Sequence, residues 1–81
     1  MNYYCVYILQ SGKCPDRFYS GFTESLEERL AEHNSGKSVH TSHLRPWRIK
    51  ACIAFTNRQS AIDFERYLKT ASGRAFAKKR L

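Results

Sequence analysis

The feature that most constrains the fold is a pair of short aromatic-rich segments near the N-terminus, separated by a polar loop. Residues 4–9 (YCVYIL) and 18–22 (FYSGF) are rich in the β-branched and aromatic side chains that favour strands. The loop between them contains Ser, Gly, Pro and Asp, which form turns and do not continue a ladder. The sequence therefore predicts a β-hairpin.

Two tyrosines of this hairpin have compatible positions. Because side chains alternate between the faces of a strand, Tyr7 points to the same face as Cys5 and Leu9. By the same rule, Tyr19 shares a face with Gly21. Both phenols lie on one face if the strands pair without a bulge and Tyr7 opposes a residue of the same parity as Tyr19. Gly21 would then leave room beside Tyr19 for a large group to approach. Ordinary sheet packing would also explain such a pair.

The remaining elements follow from hydrophobic periodicity and from helix start and stop signals. In chain order they are a helix over 23–34 closed by Gly36, a loop over 37–47, a strand over 49–55, a helix over about 58–69 and, after a break at Ser72-Gly73, a short basic helix over 74–81. The apolar composition of the third strand predicts a central place in the sheet. The order is β-β-α-β-α-α, and 81 residues make one domain, residues 1–81.

The charge balance favours a polyanionic partner. Fourteen Lys and Arg against seven Asp and Glu give a formal charge of +7. Nucleic acid is a better candidate than a membrane surface, because no strongly amphipathic basic helix stands apart from the core pattern. Three cysteines without CxxC spacing indicate reduced thiols, and no apolar run suits export or a membrane span. We therefore expect a soluble cytoplasmic protein.

Three charged or titratable groups fall where the helical pattern asks for apolar ones. Arg29 and His33 lie on the apolar side of the first helix, and Glu65 lies in the apolar arc of the second. A cleft would relieve the cost of burying these groups. A structural ion pair between Arg29 and Glu65, and a capping or core role for His33, are the alternatives. Together with two phenols, however, these groups suit phosphodiester hydrolysis, which needs an activated water, cover for negative charge and usually a divalent cation.

These residues carry a resemblance. The segments Cys5-Val6-Tyr7 and Tyr19-Ser20-Gly21, followed by Arg29, His33 and Glu65, resemble the GIY-YIG nuclease superfamily, in particular its small stand-alone bacterial members. The resemblance spans essentially the whole chain. It implies an α/β (α+β) fold in which a small three-stranded antiparallel sheet is flanked by helices. Cysteine and serine replace the glycine and isoleucine of the name-giving triplets, at positions without catalytic duty.

The resemblance also implies a role for each site residue. Tyr7 would be the general base or would orient the attacking water, and Tyr19 would hydrogen-bond the scissile phosphate or the nucleophile. Arg29 would stabilise the charged transition state, and His33 would carry a proton or bind phosphate. Glu65 would hold one Mg²⁺ or Mn²⁺ ion, which usually takes a carboxylate together with phosphate oxygens and water.

Five further residues are candidates for nucleic-acid contact. His40 and Thr41 can touch a phosphate at the mouth of the cleft, and the basic residues Arg74, Lys78 and Lys79 can contact the backbone. The basic tail is equally well explained as a solvated face. A zinc site built from the loop histidines and the cysteines is disfavoured, because their spacing matches no compact ligand set.

The sequence thus predicts a metal-dependent endonuclease that hydrolyses phosphodiester bonds in DNA, or in RNA in its place. Larger superfamily members carry a separate recognition domain, so we expect structure- or nick-selectivity without sequence specificity, and a protein partner that supplies specificity. The alternative is a nucleic-acid-binding module that keeps the fold without useful catalysis. A structural interaction domain would leave the polar groups on the apolar stripes unexplained.

Overall fold

A computed structural model describes residues 3–81 as an α+β domain, and this confirms the predicted fold class and element order. The elements are β1 (Tyr4–Ser11), β2 (Phe18–Thr23), α1 (Leu26–Ser35), a 3₁₀ turn (Ser42–Leu44), β3 (Trp47–Phe55), α2 (Arg58–Leu68) and α3 (Ala71–Arg80). The three strands form one antiparallel sheet in the order β2-β1-β3. Within residues 3–81, none of the helices has the length and apolarity needed to span a bilayer.

The prediction that the third strand is central was wrong, because β1 lies between β2 and β3. Alternate side chains of β1 are buried on opposite faces of the sheet, as a central strand requires. By contrast, β3 exposes Arg48, Ile49 and Lys50 and has only one hydrogen-bonded neighbour. Apolar composition therefore reports on packing against the faces of the sheet rather than on strand order.

The two faces of the sheet carry separate core clusters. The face that packs against α2 and α3 uses even-numbered residues of β1, and the face that packs against α1 and the following loop uses odd-numbered ones. The buried members of the first cluster are Val6, Ile8, Ala61 and Leu68, and those of the second are Tyr7, Leu9, Leu44 and Trp47. The site described below belongs to the second face.

The pairing of β1 with β3 contains one irregularity. Ile8 pairs with Ala51 and Leu9 pairs with Ile49, so Lys50 is the extra residue of a β-bulge. A bulge changes the direction in which a side chain points. Lys50 lines a cleft together with Ile8.

Glycines mark two helix boundaries differently. Gly36 ends α1 with φ 83°, the left-handed conformation that the sequence predicted. The predicted break at Ser72-Gly73 was wrong, because α3 begins earlier, with Thr70 as its N-cap. The Thr70 hydroxyl accepts a hydrogen bond from the Gly73 N–H at 3.0 Å. Gly73 is needed for space, since a Cβ there would overlap the Tyr67 carbonyl.

Candidate active site

A chain of hydrogen-bonding groups is buried between β1 and α1. The Tyr7 hydroxyl lies 3.2 Å from His33 Nε2, and His33 Nδ1 lies 3.0 Å from the Thr41 hydroxyl oxygen. The Trp47 indole N–H donates to the Thr41 carbonyl at 2.9 Å, which fixes the loop behind the histidine. Tyr7, His33 and Thr41 are 1%, 5% and 2% exposed. Both imidazole nitrogens therefore have a partner, and the ring orientation is fixed from both sides.

Tyr19 covers this chain and is its half-buried member. The Tyr19 ring centroid lies 4.7 Å from that of His33 and 6.4 Å from that of Tyr7. Tyr7 pairs with Gly21, so the two phenols share a face as the alternation of side chains predicted. A phosphate that approached this face would meet Tyr19 before the buried Tyr7.

Gly21 has a different role from the one expected. The sequence suggested that its missing side chain leaves room for an outside group beside Tyr19. Instead, the Tyr7 phenol fills that space, and a Cβ at position 21 would overlap the phenol oxygen and ring. Gly21 therefore permits Tyr7 to lie across β2 and reach His33.

Burial sets the protonation states in this cluster. Burial is the main cause that raises the pKa of Tyr7 to about 12, and the neighbouring Tyr19 phenol adds to the rise. The Arg29 guanidinium acts on this pKa in the opposite direction. Burial is also the main cause that lowers the pKa of His33 below its usual 6.5, and the charge of Arg29 lowers it further. At neutral pH the cluster therefore contains a protonated phenol beside a neutral imidazole.

Arg29 lies at the exposed edge of the same cluster. Its Nε is 3.6 Å from a carboxylate oxygen of Glu32, and its side chain is 43% exposed. Its guanidinium favours the ionised form of Tyr7 and so limits the rise in the pKa of that phenol. The alternative of a structural Arg29–Glu65 ion pair was wrong, because the partner of Glu65 is Lys69, at 2.6 Å.

The structure brings four of the five predicted catalytic residues together and places the fifth on another element. Tyr7, Tyr19, Arg29 and His33 form the cluster described above. Glu65 belongs to α2, which packs against the opposite face of the sheet, and its side chain is 16% exposed.

A cleft of about 750 Å³ lies between the sheet and helices α2 and α3. Tyr19 lines it, as does Lys69, the ion-pair partner of Glu65. The other lining residues are Ile8, Asp16, Phe18, Ser20, Lys50, Leu68, Arg74, Ala77 and Lys78. Basic side chains from β3, from α3 and from the residue after α2 thus meet in this cleft, and Tyr19 belongs both to its lining and to the phenol cluster.

The five residues suggested for nucleic-acid contact lie in different environments. Arg74 and Lys78 line the cleft, Lys79 is exposed on the same helix, and His40 is exposed in the loop after α1. Thr41, however, is buried, and its hydroxyl contacts His33. In this structure Thr41 positions the histidine instead of facing a phosphate.

A metal could be held by little more than Glu65. Within residues 3–81, no three His, Cys, Asp or Glu side chains gather closely enough to hold an ion. Mg²⁺ is often bound by one or two carboxylates plus substrate phosphates and water. Glu65 fits such a site, but only if Lys69 yields its place on the carboxylate to the metal.

Sequence reasoning missed three contributors. The sequence suggested that Trp47 anchors the exit of its loop, but not that it does so through the Thr41 carbonyl, and it gave no sign of the bulge at Lys50. The Glu65–Lys69 pair had a signal, because a Glu four residues before a Lys on a helix is a favourable pair.

Comparison with known proteins defines the class of protein to which this fold and cluster belong. Residues 3–80 match the family model described as the GIY-YIG catalytic domain. The chain therefore belongs to the GIY-YIG nuclease family, as the spacing of its tyrosine, arginine, histidine and glutamate residues indicated.

Relatives of two kinds are similar to this chain. UPF0213 protein YsiG of Lactococcus lactis is 42% identical over 71 residues, which are 85% of this chain and 65% of that protein. The solution NMR structure of UPF0213 protein BH0048 from Bacillus halodurans superposes with a TM-score of 0.53 at 34% identity, covering 96% of this chain and 81% of that one. The structure-specific endonuclease subunit slx1 of Talaromyces stipitatus is 36% identical over 69 residues, 78% of this chain.

The chain spans slightly less than two thirds of the length of the Lactococcus protein and 18% of the fungal subunit. Its similarity to the fungal subunit is therefore confined to a fraction of that protein. What the rest of the fungal subunit contributes has no counterpart in the matched region.

Proposed function

We propose that this protein is a metal-dependent endonuclease that hydrolyses phosphodiester bonds in DNA. The observation that carries the proposal is the buried contact between Tyr7 and His33, next to Tyr19 and Arg29. A satisfied core histidine needs no second phenol and no guanidinium beside it. A reaction that moves a proton and stabilises a phosphorane-like charge uses all four groups.

The protonation states suggest how the water is activated. A phenol whose pKa is about 12 is not ionised at neutral pH, so Tyr7 cannot act as a preformed phenolate. Tyr7 can instead accept a proton from the attacking water while it passes its own hydroxyl proton to His33 Nε2, 3.2 Å away. His33 is ready for this proton because its lowered pKa keeps the ring neutral. In this tautomer His33 Nδ1–H donates to Thr41, and the imidazolium later returns its proton to solvent or the leaving group.

The remaining groups bind and orient the phosphate. Arg29, 43% exposed beside the cluster, can meet the charge that develops on the non-bridging oxygens. Tyr19, half-buried above His33, can donate its hydroxyl proton to the phosphate. Glu65 would hold one Mg²⁺ or Mn²⁺ ion, which supplies Lewis-acid stabilisation of the phosphate when bound.

A relative and the free cysteines bear on the substrate and on the cellular compartment. The fungal relative is named a structure-specific endonuclease subunit, which supports structure- or nick-selective cleavage here, and a protein partner that adds specificity. The site chemistry does not by itself separate DNA from RNA, and RNA belongs in the same assays. Three free cysteines fit a reducing, cytoplasmic compartment.

A non-catalytic nucleic-acid-binding module is the second candidate. One observation favours it: the Glu65 carboxylate is held by Lys69 at 2.6 Å and belongs to α2, which packs against the opposite face of the sheet from Tyr7. If the two regions never act on one phosphate, the cluster would bind nucleic acid without cutting it.

Nicking of supercoiled plasmid in Mg²⁺ or Mn²⁺ tests the proposal. Tyr7→Phe and Glu65→Gln should each reduce nicking by about 100-fold or more. Tyr67→Phe is the matched control, because the same hydroxyl is removed from an exposed tyrosine on α2. Equal cleavage by the parent and all three variants would mean a contaminating nuclease and would reject the catalytic role. Salt-sensitive binding without cleavage would support the second candidate.

A further inference from the structure

An exposed aromatic ring lines the cleft between the sheet and helices α2 and α3. Phe18, the first residue of β2, is 50% exposed although it belongs to a large apolar residue type. Lys50 Nζ lies 5.3 Å from the centroid of its ring. Lys50 stands at the bulge of β3, so the pairing of ring and ammonium lies beside an irregularity of the sheet.

The walls of the cleft are strongly basic. Lys50, Lys69, Arg74 and Lys78 line it, and among the cleft-lining residues of the described chain Asp16 is the one carboxylate. The remaining lining is largely apolar, with Ile8, Leu68 and Ala77. The aromatic, apolar and cationic side chains of this cleft match the base, the sugar and the phosphate of an unpaired nucleotide, respectively.

We propose that this cleft binds single-stranded nucleic acid, with one unpaired base stacked on Phe18 and the flanking phosphates held by Lys69, Arg74 and Lys78. The site lies on the α2 and α3 side of the sheet, away from the buried Tyr7–His33 pair. It rests on the proposed nuclease function and deepens it by naming the class of substrate that is held on this face, an unpaired strand. Binding here needs no catalysis.

The shape of the site favours a single strand over a duplex. A volume of about 750 Å³ is that of a small-molecule pocket and accommodates a nucleotide. The faces of duplex bases are covered by their neighbours, so an aromatic ring can stack only on a base that has left the helix. Tyr19 also lines this cleft while its ring packs against His33 on the Tyr7 face of the sheet, so the two sites adjoin at this residue of β2.

Fluorescence anisotropy in EDTA measures this binding without cleavage. The probes are labelled oligothymidine of about 12 nucleotides, its duplex with oligodeoxyadenosine and oligouridine of the same length. The parent should bind the single strand more tightly than the duplex. Phe18→Ala should weaken single-strand binding about tenfold and leave duplex binding nearly unchanged. The two single-stranded probes distinguish a preference for DNA or RNA.

Charge variants separate the cleft from the general basic surface. The double variant Arg74→Met/Lys78→Met should show a weaker dependence of affinity on salt. For single strands, each lost phosphate contact reduces the slope of log affinity against log salt concentration by about 0.7. Lys13→Met with Lys37→Met is the matched control, because both lysines are exposed and neither lines the cleft. Phe18→Leu tests stacking against simple apolar contact. Thermal unfolding of each variant checks the fold.

The outcomes distinguish this proposal from the proposed function. Unchanged single-strand affinity in Phe18→Ala, or a parent that prefers duplex, would overturn the cleft as a single-strand site. If single-strand binding behaves as expected but the plasmid is not nicked, the cleft assignment stands and the nuclease proposal fails. If nicking depends on Tyr7 but Phe18→Ala binds the single strand normally, the nuclease proposal stands and the cleft assignment fails.

Discussion

Tyr7 and Gly21 lie opposite each other on β1 and β2, and the Tyr7 phenol fills the space that a Cβ at position 21 would occupy. Gly21 has no left-handed φ, so the requirement for glycine here is one of volume rather than of backbone conformation. The position of the phenol relative to His33 therefore depends on the absence of one carbon atom on the neighbouring strand.

Gly21→Ala should displace the Tyr7 ring from His33. Overpacking of this kind costs about 1–3 kcal/mol of unfolding free energy, and the lost Tyr7–His33 contact should abolish most nicking. Urea denaturation and the plasmid assay measure the two effects. Ser20→Ala, one residue away on the same edge strand but with its side chain on the other face, should be close to neutral in stability. A Gly21→Ala protein with full stability and activity would show that the ring has room to move.

Local pattern was sufficient for the parts of the site that lie on single elements. Alternation along the hairpin predicted that Tyr7 and Tyr19 share a face, and the period of α1 predicted that His33 points inward. These inferences succeed because strand and helix geometry fix the direction of every side chain once the element is known.

Long-range pairing was beyond the sequence. Strand order and the bulge at Lys50 are decided by which elements meet in space, and composition carries little information on this. The Glu65–Lys69 pair, by contrast, joins residues four apart and follows from local spacing. Thr41 shows the same limit: its loop has no period, so its burial against His33 depends on the contact of Trp47 with its carbonyl.

Thr41→Val should remove a partner of His33 while keeping the shape of the side chain. The His33 Nδ1 atom would then be buried without a hydrogen bond, at a cost of about 1–3 kcal/mol in unfolding free energy. Because Thr41 orients the ring without touching substrate, the variant should lower kcat and change the pH profile of nicking, with little change in KM. Thr41→Ser keeps the hydroxyl and should recover most of the activity. Equal kinetics for the valine and serine variants would exclude the positioning role.

The stability of the fold should decrease in mildly acidic solution because of His33. Its folded-state pKa is lowered below 6.5, so the unfolded chain binds the proton more readily. This contribution is present above about pH 6.5 and is lost as the pH falls through the folded pKa. Urea unfolding between pH 7 and about 5.5 should show a steeper loss for the parent than for His33→Gln, with His40→Gln, exposed in the loop, as the control. Identical slopes for all three proteins would contradict the assignment.

Because of Tyr7, the stability of the fold should also decrease in alkaline solution. Its folded-state pKa is raised from 10.0 to about 12, so its contribution to stability is complete below pH 10 and is lost as the pH rises through 12. Unfolding free energy should fall more steeply between pH 10 and 12 in the parent than in Tyr7→Phe. Tyr67→Phe, which removes an exposed phenol, should keep the slope of the parent. A parent slope equal to that of Tyr7→Phe would show that the phenol is not desolvated.

Lys69 should compete with the metal for Glu65. The ammonium lies 2.6 Å from the carboxylate oxygen, so an ion that binds Glu65 must displace it. Lys69→Met removes this competitor and should lower the Mg²⁺ or Mn²⁺ concentration that gives half-maximal nicking. Because Lys69 also lines the proposed strand-binding cleft, the titration is done at saturating DNA, where weaker binding does not limit the rate. Lys78→Met, which also removes a cleft charge but does not pair with Glu65, should leave the metal requirement unchanged. An equal or higher metal requirement in Lys69→Met would argue that Glu65 does not hold the metal.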